Sequence, residues 1–163
     1  MNNPITSSLD AGQQKIAGDA LQGTVVDLID LSLIAKQAHW NVIGKNFRSV
    51  HLALDELVAA AREFTDSSAE RATAIGVSPD GRSATVSATA GTKGIGDGWT
   101  KDEQVIAAVV DNLAAVIDRL RGRIADTEAA DPVTQDLLIA QSGQLEQFHW
   151  FVRAHLENAG GEL

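Results

Sequence analysis

The sequence predicts an all-α fold: a four-helix bundle with one long crossover between its second and third helices. Three observations predict it. Four long segments carry apolar residues at steps of three and four, the period of a helix with one buried face. One of the three connections between them is far longer than the other two. No segment shows the sustained apolar–polar alternation of a strand, and there is no internal repeat.

The first helical segment places Leu21, Val25, Leu28, Ser32 and Ala35 in one row, and His39 continues it. A short Val-Ile-Gly-Lys link leads to the second, so these two helices are antiparallel neighbours. The second starts near Asn46, a residue suited to N-capping, and runs to about Gly76. A crossover of about 24 residues follows, with a Pro79-Asp80-Gly81 turn, a short extra helix over Ser83–Ala90 and a mobile loop over Gly91–Gly98. That loop, GTKGIGDG, lacks the Gly-Lys-Ser/Thr ending and the preceding strand of a phosphate cradle. The third helix opens on Thr100-Lys-Asp-Glu103, a capping-box pattern, with Val105, Val109, Leu113, Val116, Leu120 and Ile124 as its stripe. The fourth opens on Asp131-Pro132 and runs through Leu138, Leu145, Phe148 and Val152 to Gly160. Four helices with one long crossover between the second and third have ferritin-like connectivity. A single domain over 1–163 is expected, with residues 1–14 as a flexible N-terminal tail.

Composition narrows the function. A chain of 163 residues that is 44% hydrophobic buries roughly 70% of its unfolded surface. No apolar run approaches the roughly 20 residues that cross a bilayer. The start, MNNPITSSLD, has neither the basic nor the apolar region of a secretory signal, so a cytoplasmic location is expected. With no Cys, any metal is held by His, Asp, Glu or backbone oxygen, which suits iron, manganese or magnesium. Thirteen basic residues against 22 acidic give a net charge of -9, which opposes general nucleic-acid binding. Residues 1–14 and 154–163 contain no Lys or Arg, so no basic tail is on offer.

The second helix carries the chemistry. At about 100° per residue, Asp55 lies about 40° from His51, Asp66 about 60° and Glu70 about 100°, so all four share one face. Any one of these acids reads best as a solvated charge. The set does not, because Leu54, Leu57, Val58 and Phe64 leave the helix largely covered by packing. His51 and Asp55 are one turn apart, as are Asp66 and Glu70, but Asp55 and Asp66 are about 16 Å apart along the axis. One straight helix cannot bring both pairs to one metal. Two antiparallel copies, related by a two-fold axis near Ala60, set each pair opposite the other and make two equivalent sites. Ala59-Ala60-Ala61 at the midpoint lets the helices approach closely. His39, returning beside His51 through the short link, fits the same site. Two imidazoles and one carboxylate from one chain plus two carboxylates from its partner suit Fe(II) and help hold Fe(III).

These residues also carry a resemblance. Lys36-Gln-Ala-His39-Trp40-Asn-Val-Ile-Gly44, Phe47, His51, Leu54-Asp55-Glu56, Asp66, Ala69-Glu70-Arg71 and Pro79-Asp80-Gly81 resemble the signature of the Dps family of mini-ferritins. The likeness is specific between residues 36 and 86 and compatible elsewhere; Trp150-Phe151 and Arg153-Ala154 are similar to the family's last helix. It implies a hollow dodecamer of four-helix subunits. It implies Fe(II) oxidation at two-fold interfaces, with hydrogen peroxide favoured over dioxygen, ferric oxide stored inside, and protection from oxidative damage. The family's ferroxidase ligands fall on His39, His51, Asp55, Asp66 and Glu70, with none missing. Trp40 would lie beside the iron, as an electron donor and radical trap or, equally, as an interface anchor. Lys36 either pairs with a site carboxylate or is simply solvated. Acidic pores at the family's three-fold axes would draw on Asp126, Asp131 and Asp136, a negative funnel for cations. Asp131 also reads as an N-cap, and Asp136 as a first-turn acid favoured by the helix dipole.

Three competing readings remain. A nucleoid-associated, DNA-binding role, as the family name suggests, relies in many members on Lys- or Arg-rich tails, from which this chain departs. Glu146-Gln-Phe-His149 matches half of an intrasubunit di-iron bundle site, but such sites need two copies of the motif and two further Glu. A purely structural oligomer would crowd unmetallated carboxylates at an interface, where they repel.

Overall fold

The computed structural model describes residues 5–156. Helix α1 spans Ala11–Asn41, α2 Phe47–Ala74, α3 Ser83–Thr89, α4 Asp102–Thr127 and α5 Pro132–Arg153, followed by a 3₁₀ turn over Ala154–Leu156. The helices pair as two hairpins, α1 with α2 and α4 with α5, joined chiefly where α1 meets α4. The short α3 sits in the crossover against α1. The fold is therefore the expected four-helix bundle with an extra helix in a long crossover. No helix among the described residues is long and apolar enough to cross a membrane.

Helix α1 begins earlier than the expected tail allows. Asp10 accepts hydrogen bonds from the Gly12 and Gln13 N–H groups, and Gln13 answers the Asp10 N–H, a complete capping box. Residues 11–14 are thus helical. The 31 residues of α1 reach about 46 Å. Its row of Leu21, Val25, Leu28, Ser32, Ala35 and His39 is buried throughout. Helix α2 ends just before Gly76, whose φ of 80° supplies the left-handed residue that stops a helix. Asp131 caps α5 by accepting from the Val133 N–H, with Pro132 at the first helical position. Helix α5 ends at Arg153; residues 157–160 of its expected span lie outside the described residues.

The core is a leucine-rich seam. Leu21, Leu28 and Leu31 from α1, Leu54 and Leu57 from α2, Leu113 and Leu120 from α4, and Leu138 and Leu145 from α5 are fully buried, each worth about 1.5–3 kcal/mol relative to exposure.

Two expectations fail at the start of α4. No capping box forms: Lys101 takes the N-cap position, with no side-chain hydrogen bond. Thr100 and Lys101 instead pair with Val42 and Ile43 in a two-residue parallel ladder, too short to show alternation in sequence. The ladder ties the crossover's end to the α1–α2 link. Asp102 reinforces it by accepting the Asn46 N–H at 2.8 Å. That bond, foremost, holds the Asp102 carboxyl below the ordinary carboxylate range. The Asp102 carboxylate leaves no room for a side chain at position 44, and Gly44 adopts a φ of 136°. Asn46 itself caps α2 by position only, without a side-chain bond.

A buried charge cluster fastens the other end of the crossover. Asp27 of α1 is wholly buried and receives Arg119 at 2.8 Å and Arg123 at 2.6 Å from α4. It also receives the Gly91 N–H at 2.7 Å. Asn112 accepts the Lys93 and Gly94 N–H groups and donates to the Gly94 carbonyl. The first half of the loop expected to be mobile is therefore held to α1 and α4.

Candidate metal centre

His39 sits in the last turn of α1 and His51 in the first turns of α2, so the short link folds one back on the other. Their rings stack with centroids 3.6 Å apart and planes 21° from parallel. Phe47 leans on the His51 ring, with centroids 5.0 Å apart. His39 Nδ1 lies 2.8 Å from the His51 carbonyl, and His51 Nδ1 lies 3.0 Å from the His39 carbonyl. A carbonyl only accepts, so each Nδ1 carries the proton and donates it. In a neutral ring that leaves the lone pair on Nε2, the arrangement that orients histidines for a metal.

Asp55 joins them. Its Oδ1 is 3.4 Å from His39 Nδ1 and 2.5 Å from Lys36 Nζ. The hydrogen bond from Lys36, foremost, holds the Asp55 carboxyl below the usual carboxylate range, and the charges of His39, Lys36 and His51 act in the same direction. Among the described residues these contacts fall on Oδ1, so Oδ2 is the oxygen that could take a cation. Lys36 thus pairs with a site carboxylate in the structure. Trp40 is exposed on α1.

Asp66 and Glu70 stand on the same helix, exposed, further toward its C-terminal end. Neither makes a hydrogen bond or ion pair within the described residues. The chain therefore brings His39, His51 and Asp55 together and leaves Asp66 and Glu70 apart. Among the described residues no group of three or more His, Asp or Glu is arranged to hold an ion within one chain.

The remaining candidates separate cleanly. Glu146 is bound by Arg121 at 2.6 Å and by the Ser142 hydroxyl at 3.0 Å, so its carboxylate is committed, away from any second Glu-x-x-His. Asp126 and Asp136 are exposed. Asp131 is a correction: it is only 3% exposed and cannot line an open funnel as it stands. Its carboxylate caps α5, accepts the Thr134 hydroxyl and pairs with Arg71 at 2.6 Å. Burial works to raise its pKa, but the bonds from Thr134 and Arg71 outweigh burial and leave it lowered.

Sequence reasoning missed Asp27, Asp102 and Gln141. Asp27 had a signal: an acid inside Val25-Val26-Asp27-Leu28 on a buried face demands a counter-charge. Gln141, buried on α5, had none.

A ferritin-like domain model matches residues 18–160. A DNA protection during starvation protein of Mycolicibacterium smegmatis is 42% identical over 153 residues, covering 89% of this chain and 79% of the relative. The solved structure of Mycobacterium smegmatis Dps in its tetragonal form superposes with a TM-score of 0.93 at 37% identity, covering 100% of this chain and 99% of that one. The structure of Dps from Microbacterium arborescens in its high iron form gives a TM-score of 0.88 at 31% identity, covering 93% and 98%.

Proposed function

Since the chain belongs to the Dps family of ferritin-like proteins, we propose that it oxidises Fe(II) at sites shared by two subunits and stores the ferric product inside an oligomeric shell. The observation that carries this reading is the histidine pair, which stands beside Asp55 and whose mutual ring-to-carbonyl bonds leave the lone pair of each neutral ring on Nε2. Asp66 and Glu70 lie about 16 and 22 Å beyond Asp55 along α2, without side-chain partners among the described residues. A two-fold copy supplies the missing half to each set. His39, His51 and Asp55 of one chain and Asp66 and Glu70 of the other then form the site. A relative's high iron form supports iron as the metal.

The substrate is Fe(II), and hydrogen peroxide is its preferred oxidant. One peroxide takes one electron from each of two ferrous ions, its O–O bond breaks, and both oxygens leave as water or hydroxide. Hydrolysis of Fe(III) to the oxyhydroxide releases protons. The shell is a dodecamer, by analogy with the family, and the setting is cytoplasmic. Asp126 and Asp136 serve a cation funnel, and Trp40, next to His39 in the chain, supplies an oxidisable ring.

The test is anaerobic Fe(II) titration followed by peroxide, with native mass measured alongside. Saturable oxidation that disappears in His39→Ala and in Glu70→Ala is expected. Oxidation by a monomer, or oxidation undisturbed by both substitutions, would sink the reading.

DNA binding is expected to be weak at neutral pH and moderate salt. The net charge is -9. Among the described residues nine of the thirteen Lys and Arg residues pair with acids, and Arg48, Arg62, Lys101 and Arg153 do not. A gel shift showing a stable complex at physiological salt would overturn this expectation.

A further inference from the structure

The two halves of the site are braced by different helices. The histidine half is held by α1, through the mutual bonds of His39 and His51. The carboxylate half has no such tie, because the side chains of Asp66 and Glu70 make no hydrogen bond or ion pair among the described residues. Their positions follow the α2 backbone, which packs chiefly against α1 and is pinned beside these residues by polar bonds from α5. Gln141, only 2% exposed, aims its Nε2 at the Phe64 carbonyl, the Ser67 hydroxyl and the Ser68 hydroxyl, at 3.3, 3.2 and 3.0 Å. These three groups bracket Asp66. One residue past Glu70, Arg71 reaches Asp131 and Thr134 at the start of α5. The backbones of α5 and α2 approach each other sparingly, so these polar contacts are a localised link between them.

We propose that Gln141 and Asp131 are positioning residues for Asp66 and Glu70, so that α5 adjusts the geometry of the carboxylate half. The inference rests on the reading of Asp66 and Glu70 as ligands. Neither Gln141 nor Asp131 touches the metal. Each acts by holding the helical turn from which a ligand projects, and outer contacts of this kind change metal affinity by about 10–100-fold.

The assembled protein is titrated anaerobically with Co(II), whose visible spectrum reports ligand geometry. Gln141→Met keeps side-chain length and removes the amide. Asp131→Asn keeps a good N-cap and removes the charge facing Arg71. Both are expected to assemble at wild-type native mass. Gln141→Met is expected to bind Co(II) about 10–100-fold more weakly with an altered spectrum, and Asp131→Asn to shift both in the same direction by less. Arg71→Lys should retain more affinity than Arg71→Met. If Gln141→Met does not assemble, Asp131→Asn decides alone. Wild-type affinity and spectrum in the assembled α5 variants, while Asp66→Asn weakens binding, would overturn this inference and leave the ligand reading standing. A lowered urea midpoint with an unchanged spectrum would overturn it too, since that marks a purely structural contact. Wild-type binding by Asp66→Asn and Glu70→Gln would remove the ligand reading, and this inference with it.

Discussion

His39 and His51 each donate the ring Nδ1 proton to the other's backbone carbonyl, at 2.8 and 3.0 Å. The two helices are thereby cross-linked by the side chains offered as ligands. Because both acceptors are backbone atoms, replacing one histidine leaves the other's acceptor in place. His39→Ala and His51→Ala should each abolish saturable Fe(II) oxidation. Each should cost only about 0.5–1.5 kcal/mol for the lost hydrogen bond, plus its share of packing, by urea denaturation. A larger loss in oxidation than in folding distinguishes a ligand from a brace.

Lys36 keeps Asp55 ionised to lower pH than an ordinary carboxylate. A carboxyl lowered in the folded state contributes stability that is present above its unfolded pKa, about 3.9. That stability disappears as pH falls through the lower folded value. The same shift lets Asp55 stay available to a cation in mild acid. Lys36→Met should therefore lower the urea midpoint at pH 7 and lose that difference as pH falls below the carboxylate range. A difference that persists unchanged in strong acid would show that the Lys36–Asp55 pair is not its source.

Asp131 is the buried member of the three acids assigned to cation access. Asp126→Asn and Asp136→Asn should slow iron uptake at low ionic strength and lose that effect in high salt, as steering charges do. Asp131→Ala should instead cost about 2–4 kcal/mol of stability, combining a lost cap and an unpaired guanidinium. Uptake kinetics at two salt concentrations, set beside thermal melts, separate these behaviours.

Asp27 is buried and pairs with two arginines of α4. Asp27→Ala leaves both with no carboxylate opposite and should destabilise the protein by about 3–5 kcal/mol. At this chain length that lowers the melting temperature by roughly 6–20 °C. Calorimetry of the assembled protein checks it.

The helices were legible because each buries one face, and burial writes its period into the residues: the α1 row from Leu21 to His39 is buried as the spacing predicts. The separation of the two candidate pairs was legible for the same geometric reason, a fixed rise per residue. Cap chemistry was less so. Thr100 and Glu103 have capping-box spacing, but Thr100 is claimed by pairing with Val42, a partner 58 positions away that no local pattern announces. Asp131 suited two roles by type, and only the position of Arg71 across the bundle decides between them. The bonds from His39 and His51 to backbone carbonyls leave no trace in sequence, since every residue has a carbonyl.

The separation of the two halves along α2 also has a meaning in time. A newly synthesised chain sets its histidines as soon as α1 folds against α2, yet it holds only half of the proposed site. Subunits awaiting assembly would then be inert toward ferrous iron and peroxide. The hazardous reaction would switch on only when pairing has occurred and an enclosure for its product is under construction.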